Sequence, residues 1–92
     1  MSAGPPRRQL EIHFCDRCGL RPSALAVAGE VLEQWAGELA RVTLVPTDDE
    51  RFDVLLDGES VFSMTDRGRH PEAGEINAIL ESRLGPPPGF GA

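Results

Sequence analysis

Both cysteines of this 92-residue chain fall in one short stretch, Phe14-Cys15-Asp16-Arg17-Cys18. A spacing of i, i+3 at the start of a helix brings two side chains to one side of the chain. Two sulfurs so placed can bond when their Cα atoms lie about 5.5–6 Å apart. A lone Cys-x-x-Cys therefore suggests thiol–disulfide chemistry first. An ordinary thiol, with a pKa of about 8.5, is only about 3% thiolate at pH 7, and a drop of two units makes it about three-quarters thiolate. The helix-start N–H groups, Arg17 and Arg21 favour such a drop, and Asp16 opposes it. In sites of this type the more exposed, first cysteine attacks and the second resolves. That makes Cys15 the nucleophile and Cys18 the resolver.

Other readings of the pair have less behind them. A structural zinc site wants four ligands, and one Cys-x-x-Cys supplies two. His13 and His70 could be added, and His13 lies two residues before Cys15. A surface histidine is more often solvated or hydrogen-bonded than metal-bound, so His13 is taken as a modulator of the site. Two copies of the chain could still share one zinc across a dimer. A non-catalytic protein-binding module, or a reduced pair without turnover, would use the same surface. No phosphate-binding glycine loop, catalytic carboxylate pair or Ser/His/Asp order is present, and no cofactor is expected. Asp48-Asp49-Glu50 lacks calcium-ligand spacing and is expected to be a solvated loop.

The pair needs elements to hold it. Gln9 to Phe14 alternates, with Leu10, Ile12 and Phe14 on one side and Gln9, Glu11 and His13 on the other. That pattern predicts a strand with one buried face, and so a two-layer fold with its helices on one side of the sheet. Pro22 and Ser23 open a helix expected to run to about Ala40, with Pro22 in the first turn. Its expected apolar stripe is Leu25, Ala28, Val31, Leu32, Trp35 and Leu39. Gly29 sits mid-helix, where close packing against the sheet would account for it. Arg41 to Val45 is the second strand, ended by Pro46, and completes a right-handed βαβ unit. Phe52 to Leu56 and Ser60 to Met64 are strands joined at Asp57-Gly58, a strong hairpin signal. Thr65 to Arg69 is expected to be a polar connection. A last helix is expected from Pro71, with Ile76, Ile79, Leu80 and Leu84 as its apolar stripe.

The order is β-α-β-β-β-α: an α/β class, minimal thioredoxin-like, four-stranded mixed sheet with both helices on one face. The site falls at the carboxyl end of the first strand, where open α/β sheets place their chemistry. One domain spans residues 9–84, between flexible tails at 1–8 and 85–92. In a two-residue turn at Asp57-Gly58, Val54 would pair with Val61 and Asp53 with Phe62. Leu55, Phe62 and Met64 would then share the uncovered face as a partner surface. A bulge would instead shift the register and bury Phe62.

Composition excludes several classes. The formal charge is −6, which argues against nucleic-acid binding and against docking on anionic lipid. All nine basic residues are arginine, which is read as coding bias. Ala24 to Ala28, the longest apolar run, is too short to span a membrane. Two cysteines cannot form the disulfide framework of a small secreted domain. A cytoplasmic location is expected.

The stretch Ile12-His13-Phe14-Cys15-Asp16-Arg17-Cys18-Gly19-Leu20-Arg21 and the helix to Trp35 resemble the selenoprotein W-like Rdx proteins. Phe52-Asp53-Val54-Leu55-Leu56-Asp57-Gly58-Glu59 and Gly68-Arg69-His70-Pro71-Glu72 resemble that family's hairpin and final helix entry. The likeness covers most of residues 9–84 and is to a cysteine-containing, bacterial type. It implies a thioredoxin-like fold, a redox-active pair at Cys15 and Cys18, and glutathione or a protein thiol or disulfide as partner. In selenocysteine-containing members the selenium occupies the position of Cys18, and a selenolate is normally the attacking group. Exposure logic and this resemblance thus assign the attack to different sulfurs. The acidic loop before Phe52 and Leu20, where bacterial relatives often carry an aromatic residue, depart from the family pattern.

Overall fold

A computed structural model describes residues 8–85. The tail expectations for residues 1–7 and 86–92 fall outside them. The described order is β1 (Arg8–Cys15), α1 (Arg21–Trp35), β2 (Leu39–Thr47), β3 (Phe52–Leu56), β4 (Glu59–Ser63), α2 (Met64–Arg67) and α3 (Glu75–Leu84). The sheet order is β2-β1-β3-β4. β1 and β2 are parallel, while the β1–β3 and β3–β4 pairs are antiparallel. This is the mixed four-stranded sheet expected from the sequence. Leu10, Ile12, Phe14, Phe52, Val54 and Leu56 fill its buried face, together with Val31 and Trp35 of α1 and Ile76 and Leu80 of α3. No described helix is long and apolar enough to cross a membrane.

α1 is shorter than its periodicity suggested, and it is rotated. It ends at Trp35, and a tight turn follows in which the Glu38 N–H bonds the Trp35 carbonyl at 2.8 Å. Leu39, expected on the helix stripe, instead begins β2 and is buried. The buried stripe is Ala24, Val27, Ala28, Val31 and Trp35. Leu25 and Leu32 lie outside it, 54% and 46% exposed. Of the expected stripe, Ala28, Val31 and Trp35 are buried, while Ala24 and Val27 take the places expected of Leu25 and Leu32. Gly29 does not pack on the sheet: a methyl group built there meets no atom within 4 Å.

β2 runs through Pro46 rather than stopping before it, with Pro46 opposite Phe14. β2 is an edge strand, where a residue without an N–H can sit facing solvent. Arg8, assigned to the tail, joins β1 and pairs with the Asp57 carboxylate.

The hairpin turns on Asp57 and Gly58, both with positive φ, 53° and 85°. This is the geometry that gives a tight two-residue connection its twist. Leu56 pairs with Glu59 and Leu55 with Ser60, as expected. The register then shifts, so that Val54 pairs with Phe62 and Asp53 with Ser63, leaving Val61 as the extra residue. A bulge of this kind moves every later side chain to the other face. Phe62 is 1% exposed, and its ring meets Phe52 edge-on at 6.5 Å. The partner surface of Leu55, Phe62 and Met64 is therefore overturned. Leu55 keeps a half-buried place on the open face, and Met64 packs against the core.

Met64 opens α2 rather than ending β4. The Ser63 hydroxyl accepts the Asp66 N–H, and Gly68 closes the turn in a left-handed conformation. α3 begins at Glu75, four residues later than Pro71 suggested. Arg69 donates to both Glu75 carboxylate oxygens, at 2.7 and 2.8 Å, and the Glu72 N–H adds a third bond at 2.9 Å. The arginine of the Gly68–Glu72 stretch thus clamps the entrance of α3. The Gly74 N–H and the Asn77 amide bond Glu30, which fastens that entrance to α1.

Three outcomes follow. Gly29→Ala should stabilise the chain by about 1 kcal/mol in chemical denaturation, since the site is helical and open. Phe62→Ala should destabilise it by about 3 kcal/mol or more, as expected for an emptied core site. The Arg69 bonds, then the Glu72 N–H, pull the Glu75 carboxyl down to about 2 from 4.5. A lowered folded-state value gives a contribution that is whole above the unfolded value and is lost as pH falls. The melting-temperature gap between wild type and Glu75→Gln should therefore be constant above about pH 5 and shrink between about pH 4.5 and 2.

Candidate functional site

The cysteine pair stands where β1 ends. β1 is hydrogen-bonded on both sides, to β2 and to β3, up to its last residues. That pairing is extended into the turn by two backbone bonds. The Cys15 N–H donates to the Arg51 carbonyl at 2.9 Å, and the Asp16 N–H to the Thr47 carbonyl at 3.3 Å. The turn closes on itself through the Gly19 N–H to the Asp16 carbonyl at 3.2 Å and the Leu20 N–H to the Cys15 carbonyl at 3.4 Å. Gly19 has a φ of 81°, which a residue with a Cβ adopts only under strain. Leu20 then buries its side chain and leads into α1. The chain can thus reverse within a few residues, and Cys18 is returned to Cys15.

The two sulfurs are joined as a disulfide, with Cα atoms 5.3 Å apart. Their surroundings differ sharply. Cys15 is 0% exposed and belongs to the core cluster. Cys18 is exposed, as is Arg17 beside it. The expectation that the first cysteine is the more accessible is therefore reversed. Cys15 follows the buried end of the strand inward, while Cys18 sits on the outer side of the turn.

Charges around the turn are partly matched. The Arg21 guanidinium donates to both Asp16 carboxylate oxygens, Nε at 2.8 Å and Nη2 at 2.9 Å. These bonds hold the Asp16 carboxyl below its ordinary range and raise Arg21 above its own. Arg21 is therefore not the unengaged cation that the sequence suggested. α1 has no acidic residue in its first turn and no side-chain cap, so its N-terminal N–H groups keep their positive end toward the turn. His13 lies on the open face and bonds Glu11, two residues back along β1, at 2.8 Å.

The structure brings together Cys15, Cys18, Asp16, Arg17 and Arg21, and leaves His13, Leu55, Phe62 and Met64 elsewhere. Sequence reasoning missed the two carbonyls, of Thr47 and Arg51, that fix the turn. Their only signal was that Pro46 and Phe52 bound the loop between them. It also treated Asp16 and Arg21 as opposing influences on a thiol, whereas opposite charges flanking a tight turn pair with each other. Among the described residues, no group of three or more His, Cys, Asp or Glu side chains is arranged to hold a metal ion.

The model of the Rdx family matches residues 9–82. Two crystal structures share the fold. A selenoprotein W-related protein from Vibrio cholerae is 23% identical with a TM-score of 0.79, covering 85% of this chain and 98% of its own. A protein from Bordetella parapertussis is 24% identical with a TM-score of 0.81, covering 86% of this chain and all of its own. No curated protein matches the chain.

Proposed function

The chain belongs to the Rdx family, and from that premise we propose that it is a thiol–disulfide redox protein working through Cys15 and Cys18. The observation that carries the reading is the asymmetry of the bonded pair: one cysteine exposed, the other buried in the core. Exchange proceeds by attack of a thiolate along the S–S axis, and only an exposed sulfur can be reached.

In the oxidised protein, an incoming thiolate attacks Cys18 Sγ. A mixed disulfide forms at Cys18, the Cys15–Cys18 bond breaks, and the electron pair of that bond leaves on Cys15. A second partner thiol attacks the partner's sulfur in the mixed disulfide and frees Cys18. The sum is two partner thiols oxidised to one disulfide and one protein disulfide reduced to two thiols. In the reverse direction the Cys18 thiolate attacks a partner disulfide, and Cys15 then attacks Cys18 Sγ to release the second partner thiol. The roles are thus the opposite of those expected from cysteine order, and they agree with the selenium position in the selenocysteine-containing relatives. Cys15 is the resolving sulfur. The partner class is a protein thiol or disulfide, or glutathione, in the reducing cytoplasm.

The test is a pair of single variants. Cys15→Ser, left with the exposed sulfur, should accumulate a mixed disulfide with a small aromatic disulfide or oxidised glutathione, detectable by mass. Cys18→Ser should form it about tenfold or more slowly, since its remaining thiol is buried. Comparable rates for the two variants would remove the reading, as would full turnover in either one.

A further inference from the structure

Asp16 and Arg21 flank the exposed sulfur on either side in sequence. One follows Cys15, and the other is the first residue of α1. Their bidentate bond spans the turn that carries Cys18. An arginine–carboxylate fork is the most geometrically defined ion pair available to side chains. A pair on the surface adds little to stability, and this one is exposed, at 66% for the Arg21 side chain and 38% for that of Asp16. Its position, rather than its strength, gives it consequence. A negative and a positive charge are held against each other across the turn that carries Cys18, whose thiol reactivity depends on nearby charge.

We propose that the Asp16–Arg21 pair is an electrostatic counterweight, in which each side chain cancels the other's influence on Cys18. Both are positioning residues for the thiol chemistry, which act through Cys18 and touch no substrate. The inference rests on Cys18 being the reactive sulfur, as proposed above. Other charges reach the same thiol. Arg17 adjoins it in the turn, and the positive end of α1 faces the turn. The loop between β2 and β3 carries Asp48, Asp49, Glu50 and Arg51, the last paired with Asp49 at 3.1 Å and Asp53 at 3.6 Å. None of these changes when the pair is altered, so a difference between variants reports the pair alone.

Removing one partner leaves the other unopposed. In Asp16→Asn a free Arg21 favours the Cys18 thiolate, and in Arg21→Gln a free Asp16 disfavours it. A clamp with a purely structural role gives a different pattern. Either substitution would then loosen the turn, and both would move the thiol the same way.

The experiment titrates Cys18 in full-length, reduced protein carrying Cys15→Ser, by thiolate absorbance and by iodoacetamide alkylation rate against pH. Circular dichroism verifies that each variant is folded. Asp16→Asn should lower the titration midpoint by roughly half a unit and Arg21→Gln should raise it by as much, about threefold each way in thiolate below the midpoint. The double variant should return to within about 0.2 unit of the parent, and Arg21→Lys, which keeps the charge, should stay near the parent. The shifts should shrink in about 1 M salt. Shifts of the same sign, no shift, or Arg21→Lys behaving as Arg21→Gln would overturn the proposal. Opposed shifts in a protein that never forms a mixed disulfide would instead keep the counterweight and remove the redox function.

Discussion

The site depends on β1 being an interior strand. Because β2 and β3 bond it from both sides, its last residue is held by the Arg51 carbonyl and the next by that of Thr47. A strand that ended at a sheet edge would leave Cys15 with a partner on one side only. Here its backbone is fixed and its side chain is buried in the core. That fixed point lets a turn with few internal bonds return Cys18 to the same place. It also explains why the two sulfurs differ: one belongs to the sheet, the other to the turn.

Much of this was legible before any coordinates. The alternation from Gln9 to Phe14 marked a strand with one buried face, and Asp57-Gly58 marked the hairpin with its turn geometry. Pro22 marked the start of α1, and Cys15 and Cys18 marked the site. These signals are local, so neighbours in sequence suffice to read them. The features that escaped depend on packing or on side-chain contacts that no local pattern announces. The bulge at Val61 forms because β4 must bury both Val61 and Phe62 against the core, and no property of Glu59–Ser63 alone announces it. The rotation of α1, which buries Ala24 and Val27 rather than Leu25 and Leu32, is set by how the helix seats on the sheet. The displacement of α3 to Glu75 follows from the clamp by Arg69, six residues earlier in the chain. Within the site, the residue types were readable. Their accessibility was not, because it depends on which way the chain leaves the strand.

Two helix entrances use the same device for different purposes. At the entrance of α3, an arginine grips a glutamate that is mostly shielded from solvent, and the grip fixes a helix start. At the entrance of α1, an arginine grips an aspartate that is well exposed, and the contact fixes little. Burial separates the cases: the same fork contributes to stability where water is largely excluded and mainly redistributes charge where it is not.

The sealing of Cys15 has a further consequence for how the protein meets peroxide. If Cys18 is the reactive sulfur, as proposed, a dissolved oxidant would meet it first, and a sulfenic acid formed there would have the Cys15 thiol directly behind it. Condensation to the disulfide then competes on favourable terms with a second oxidation, the step that leads to irreversible sulfinic and sulfonic acids. On that reading the packing of one strand end would also keep the inner sulfur off that ladder.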